Sequence, residues 1–168
     1  MTDDNIKVCL VCEAGGPFKQ LQLIEEGLMD FDRFYVTYRT RATESIEGYL
    51  LPKVYQRIAG GLVKRRLNVE KIAAPFILPV VFAYLLYILI KERPDVVVST
   101  GDLTIAGPAF YLTKLLGIRT IFVESIGQFE GPSTAGRVLA PVSDRVLVQN
   151  TETLDDHAED AEYHGGVF

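Results

Sequence analysis

The stretch Arg93-Pro94-Asp95-Val96-Val97-Val98-Ser99-Thr100-Gly101-Asp102 decides the fold. Pro94 disfavours helical geometry at Arg93, so the helix before it stops there. Three valines in a row, with no polar residue between them, make a strand buried on both faces rather than one with a wet side. Ser-Thr-Gly-Asp then leads into a helix expected near Thr104 to Leu116, with Gly117 in the usual C-cap position. Strand followed by helix is the repeating unit of a parallel sheet covered on both faces.

The same alternation extends in both directions. Upstream, Ile6 to Cys12 is an apolar strand ending at Glu13-Ala14-Gly15-Gly16, and Leu21, Ile24 and Leu28 follow at helical spacing. Phe34 to Tyr38 is a second strand, aromatic and β-branched. Arg39 to Lys71 has weak periodicity and a Gly60-Gly61 pair, so it reads as a long loop with one or two short helices. Downstream, Arg119 to Val123 is a strand opening into the loop Glu124 to Ser133. A short helix around Thr134 to Leu139, a strand at Arg145 to Gln149 and a helix from Thr151 to Asp160, with Thr151 as its N-cap, complete the chain. The reading is one α/β domain, residues 1–168, whose ligands bind outside the carboxyl ends of the strands.

The 168 residues, 48% of them hydrophobic, suit one packed domain and exclude a disordered tail, a fibre or a two-domain enzyme. Two cysteines exclude a disulfide framework or a four-thiolate zinc site, and Met1 to Asn5 has no signal-peptide character, so the expected setting is cytosolic. Cys9 and Cys12 lie three apart in a strand, face opposite sides of the sheet and cannot readily share a metal or a disulfide. His157 and His164 lie in the acidic C-terminal stretch, away from the expected clefts, so neither a histidine triad nor a metal site is supported. No cofactor motif is complete. There is no G-x-G-x-x-G and no P-loop, and the second strand ends in Tyr38-Arg39 without the acidic residue a dinucleotide ribose needs.

Against a net charge of -5, the segment Arg39 to Lys71 carries eight basic and three acidic residues. A basic block in an acidic protein points to a local anionic surface rather than to general nucleic-acid binding, with a solvated helical face as the plain alternative. It ends beside Ala73 to Ile90, eighteen residues without a charge. A helix of that length spans about 27 Å, slightly short of a hydrocarbon core near 30 Å, and Pro75 and Pro79 would shorten its regular part. A true span would sever the first two strands from the rest. An amphipathic cover helix would show a polar face, which this one lacks. The favoured reading is a membrane-associating region at about 39–90, with Arg57, Lys64, Arg65, Arg66 and Lys71 on headgroups and Phe76, Leu78, Phe82 and Leu85 on lipid. Burial in the core or against a partner is the alternative.

Three strand ends carry the candidate chemistry. Gly15 and Gly16 expose amides near a helix N-terminus, which suits an anion. Ser99, Thr100, Gly101 and Asp102 offer hydroxyls and a carboxylate, or simply cap the next helix. Glu124 and Ser125 follow the fourth strand. A carboxylate there could orient a sugar hydroxyl, act as a base, or anchor the loop that follows.

In order along the chain, these segments resemble a known family. Gly15-Gly16, Arg93-Pro94-Asp95 with Val-Val-Val-Ser-Thr-Gly at 96–101, Gly107-Pro108, Phe122-Val123-Glu124-Ser125, Arg145 to Gln149 and Tyr163-His164-Gly165-Gly166-Val167-Phe168 carry the resemblance. The family is that of the membrane-associated subunit of the two-component UDP-N-acetylglucosamine transferase that adds the second sugar to a lipid-linked oligosaccharide, with its bacterial exopolysaccharide counterparts. The resemblance implies a Rossmann-like domain, the N-terminal, acceptor-side half of a GT-B glycosyltransferase. It also implies a separate donor-binding partner that holds the UDP-sugar, a polyprenyl-diphosphate-linked acceptor, a place on the cytoplasmic face of a membrane, and inactivity of the chain alone. Gly15, Gly16, Ser99, Thr100 and Gly101 would line the acceptor crevice, with Glu124 beside it. Where the family's loop continues to a histidine, this chain has Pro17, so a base would be Glu13 or Glu124 or come from the partner. With no N-terminal anchor expected here, Ala73 to Ile90 would take its place. A non-catalytic membrane scaffold that docks a partner protein is the alternative from another class.

Overall fold

The computed structural model describes residues 6–55, 68–154 and 161–166, with residues 68–76 as helical backbone only. Strands β1 (Lys7–Val11), β2 (Asp32–Tyr38), β3 (Gly48–Leu51), β4 (Val96–Ser99), β5 (Arg119–Val123), β6 (Arg145–Val148) and β7 (Ala161–Tyr163) form one sheet in the order β3-β2-β1-β4-β5-β6-β7. Every neighbouring pair is parallel. The interior strand β1 lies between β2, with Leu10 opposite Tyr35, and β4, with Leu10 opposite Val98.

Helix α1 (Gly16–Glu26) covers one face, where Phe18 and Leu21 pack on Val8, Leu10, Tyr35, Val98 and Val123. Helices α2 (Asn68–Glu92), α3 (Ala106–Leu116) and α4 (Thr134–Leu139) belong to the other, where Leu85, Ile88, Phe110 and Leu139 meet Val36, Val97, Phe122 and Val146. Cys9 belongs to the second layer and Cys12 to the first, as the period of two requires, and both are free thiols.

Several expectations need correction. The supposed loop after Arg39 contains β3, an edge strand whose pairing with β2 is parallel. Gly48 opens it at φ 149°, and a Cβ there would stand 2.2 Å from the Tyr35 carbonyl oxygen, so only glycine fits the approach. Pro75 and Pro79 do not shorten α2, which runs through both. The absence of two N–H donors is outweighed by packing of Val81, Leu85, Ile88 and Leu89 on the sheet. Of the helix expected from Thr151 to Asp160, Thr151–Thr153 is a 3-10 turn with Asn150 in the N-cap position, so Thr151 is not the N-cap; residues 155–160 lie outside the described residues. Strand β7 follows, with no apolar run to announce it.

Candidate functional site

Strand order reverses between β1 and β4. From β1 the chain builds outward through β2 and β3, and from β4 through β5, β6 and β7. The crossover leaving β1 passes over one face through α1 and that leaving β4 over the other through α3, so a crevice opens outside the carboxyl ends of these two strands. Its walls are Glu13 to Pro17 and Ser99 to Asp102, two of the segments expected from sequence.

A hydrogen bond from the Thr100 hydroxyl to the Pro17 carbonyl at 2.7 Å joins the walls. Gly15 caps α1 at φ 138°, a conformation that L side chains rarely adopt. Gly16 has no such backbone need, and a Cβ on it would meet nothing within 4 Å. The pair therefore leaves open space before the first turn of α1, where helix amides favour an anion. Ser99 is buried and its Oγ accepts from the Gly101 N–H at 3.3 Å. Gly101 turns at φ 102°, with Ala135 3.4 Å from where its Cβ would lie, so the end of β4 faces the start of α4.

Asp102 resolves to the capping role. One oxygen accepts from the Thr104 N–H and hydroxyl, both at 2.7 Å, and the other from the Ile105 N–H at 3.0 Å. Burial pushes its pKa up against those hydrogen bonds, and the nearby charge of Glu13 adds to the rise. Glu13 follows β1 at its carboxyl end, beside the mouth of the crevice; burial is the main cause that raises Cys12 and Tyr38, with the Glu13 charge adding to it, and Tyr38 reaches the network by donating to Thr104 Oγ1 at 3.1 Å.

Glu124, at the end of β5, is 1% exposed. Its Oε1 accepts from the Ser125 N–H at 2.9 Å and its Oε2 from the Ser133 N–H at 3.0 Å, so the carboxylate grips both ends of the following loop. Its backbone carbonyl takes the side-chain amides of Gln149 at 2.7 Å and Gln20 at 3.2 Å, both buried. Asn150 donates to the carbonyls of Ile126 at 3.0 Å and Gln128 at 2.7 Å. Of the three roles left open by the sequence, this geometry is that of the anchor, and Ser125 enters through its backbone.

Gln20, Gln149 and Asn150 were not foreseen. The signal available was positional: Gln149-Asn150 follows an apolar strand just as Ser99-Thr100 and Glu124-Ser125 do. His164 also needs correction. It sits at the carboxyl end of β7, bonded to Glu162 at 2.8 Å, and lines a cavity of about 340 Å³ with Leu23, Ile24, Val123, Leu147 and Gly165. Among the described residues no group of His, Cys, Asp and Glu could hold a metal ion.

Of the expected lipid contacts, Arg57, Lys64, Arg65 and Arg66 lie outside the described residues, as do the side chains of Lys71 and Phe76. Leu78 is half-buried and Phe82 exposed, but Leu85 is 2% exposed and faces the sheet, so it is withdrawn as a lipid contact. The outer side of α2 instead shows Val80, Tyr84, Tyr87 and Ile90. Tyr111, Leu115 and Leu116 of α3 are exposed too, and Ile90 and Leu116 line one hollow with Arg93 and Pro94. Among the described residues no helix is long and apolar enough to cross a membrane.

Residues 62–167, which carry β4 to β7 and the ends of β4 and β5, match the family described as oligosaccharide biosynthesis protein Alg14 like. The chain belongs to this family. Gly15 and Gly16 lie before the matched stretch. The chain is 35% identical over 82 residues to a Candida albicans protein named UDP-N-acetylglucosamine transferase subunit ALG14, a match covering 46% of this chain and 37% of that protein. It is 35% identical over 89 residues to the protein of the same name from Yarrowia lipolytica, covering 50% and 41%. The matches thus span about two fifths of these Alg14 relatives.

Among solved structures, that of Acinetobacter baumannii MurG superposes with a TM-score of 0.71 at 20% identity, over 96% of this chain and 46% of that one. The UDP-GlcNAc 2-epimerase of Methanocaldococcus jannaschii gives a TM-score of 0.61 at 15% identity, over 90% and 41%. The Alg14-like chain thus has the Rossmann-like fold found in the GT-B glycosyltransferase MurG, and in both comparisons it spans less than half of the solved chain.

Proposed function

We propose that the chain is the acceptor-side subunit of a heteromeric glycosyltransferase. It moves N-acetylglucosamine, or a related sugar, from a UDP-sugar to a polyprenyl-diphosphate-linked acceptor. The observation that carries this reading is the crevice between β1 and β4. It combines an open glycine pair at a helix N-terminus, suited to a diphosphate, with hydroxyl-bearing Ser99 and Thr100 on the facing wall. The names of the curated relatives support the sugar and the role of subunit. The word subunit in those names also supports a donor-binding half on a separate partner.

In this reading Gly15 and Gly16 receive the diphosphate, Thr100 holds the first turn of α1 in register with β4, and Glu124 fixes the loop beside them. Glu13, at the crevice mouth, is the carboxylate of this chain placed to take a proton from an acceptor hydroxyl; a base from the partner is the competing assignment. The joined apolar rows of α2 and α3, with exposed Arg93 and Lys114 at the same end, lie on the cytoplasmic face of a membrane as a peripheral or partly inserted surface.

Transfer assays with a UDP-sugar and a short-chain lipid diphosphate acceptor test the proposal. The chain with its donor-binding partner should turn over, and the chain alone should not. Robust turnover by the isolated chain would refute the split. A docking scaffold without a catalytic residue is the second reading, favoured by the engagement of both Glu124 oxygens in loop anchoring. Unchanged turnover of the assembled complex after Glu13→Gln and Gly15→Val would support it.

A further inference from the structure

Phe129 stands 62% exposed on the loop between β5 and α4, and the chain is pinned on both sides of it. The Gln128 carbonyl accepts from Asn150 at 2.7 Å, and the Glu130 carbonyl accepts from the Gln128 side chain at 2.8 Å. Both ends of the same loop are gripped by Glu124. The loop starts beside the crevice, where Gln20 of α1 donates to the Glu124 carbonyl, and runs into α4, whose Ala135 lies close to Gly101. A large apolar ring held out into water by its neighbours' hydrogen bonds loses little freedom on meeting a ligand.

The residues beside the ring in the chain bear on the choice of ligand. Its sequence neighbours Ser125 and Glu130 offer a hydroxyl and a carboxylate, whereas a protein interface calls for a contiguous apolar core around its aromatic anchors. One aromatic face edged by hydrogen-bonding groups suits a pyranose, which has an apolar ring face and a polar rim. Resting on the acceptor-side reading above, we infer that Phe129 is a substrate-positioning contact that stacks on the sugar ring of the lipid diphosphate acceptor. Asn150 and Gln128 hold it in place.

The chain contains no tryptophan, so Phe129→Trp installs its single tryptophan at this position, excited selectively at the red edge where tyrosine does not absorb. In the chain assembled with its donor-binding partner, a short-chain lipid diphosphate carrying one N-acetylhexosamine should change the variant's emission saturably. The same lipid diphosphate without the sugar should do so far more weakly. In transfer assays Phe129→Ala should raise the acceptor KM about tenfold, with the donor KM and kcat held, and Phe129→Tyr should restore it. Asn150→Ala should raise the acceptor KM in the same direction. Equal emission changes with and without the sugar, or an unchanged acceptor KM in Phe129→Ala, would overturn the inference while leaving the subunit reading intact. Loss of co-purification with the partner in Phe129→Ala would overturn it in favour of a protein contact. Should the complex transfer no sugar, the subunit reading fails, and the emission titration still decides the role of Phe129.

Discussion

Replacing Glu124 by Gln separates an anchor from a base. The carboxylate accepts one backbone N–H on each oxygen, from Ser125 and from Ser133. A carboxamide keeps the shape but presents one oxygen and one NH2, so one of the two backbone donors faces another donor. Losing a charge-assisted bond costs about 1.5–3 kcal/mol, and a buried donor left unmatched adds to it, for about 2–4 kcal/mol in total. Ser133 also caps α4, its Oγ accepting from the Gly136 N–H at 2.9 Å, so the loss spreads into that helix. For a chain of this size each kcal/mol moves Tm by about 2–4 °C, so Glu124→Gln should lower Tm by roughly 5–15 °C. Thermal and urea unfolding of the full chain measure this, with the urea slope constant while the midpoint falls. Turnover of the assembled complex, read below the shifted Tm, should drop through a raised acceptor KM. A variant as stable as the parent that has lost kcat alone would refute the anchoring argument and reinstate Glu124 as the base.

Other expectations are equally concrete. Gly48→Ala drives a Cβ into the Tyr35 backbone, so β3 should detach at a cost of about 3 kcal/mol or more; amide exchange should show lost protection at Tyr49 to Leu51 with β1 and β4 still protected. The Glu92 carboxyl is held down at about 2, chiefly by hydrogen bonds from Lys7 and Tyr49. Because the folded pKa lies below the unfolded value near 4.5, this stabilisation is present above pH 4.5 and lost as pH falls towards 2. Glu92→Gln should therefore be less stable at pH 7 by about 1 kcal/mol after solvent screening, with the gap closing in acid, as urea midpoints across pH will show. Burial raises both thiols, Cys12 to about 12 and Cys9 further, so both should resist alkylation in the native state and react once unfolded, as mass spectrometry reads. Leu115, 83% exposed, can become Glu without disturbing the core; Leu115→Glu should keep its Tm and lose sedimentation with anionic vesicles.

The strand ends were legible because burial on both faces writes itself into the chain as Val96-Val97-Val98 and Ile121-Phe122-Val123 followed at once by polar residues. Helix α4 was legible too, since Ser133 supplies a side-chain cap. Strand β3 was not, because a four-residue edge strand needs little hydrophobic signal and its glycine answers to Tyr35, a tertiary neighbour. Two prolines argued against a regular α2, and packing overrode them. Glu124 was found as a residue but not as a role, because its partners depend on where the loop returns. Gln20 was invisible, since its partner lies 104 residues away in the chain.

The placement of β1 between β2 and β4 also sets an order of events at synthesis. Strands β1, β2 and β3 leave the ribosome first, yet the free edge of β1 stays unpaired until Val96 to Ser99 has followed, and all of α2 emerges in between. The nascent chain therefore carries an open strand edge and an apolar helix together, with the closing contact among the least local in the molecule. Early engagement of that helix, by lipid or by a chaperone, would shelter the half-built sheet from its neighbours on the polysome. A faster approach to β4, for instance through deletions between β3 and α2, should reduce aggregation during translation without altering the finished fold.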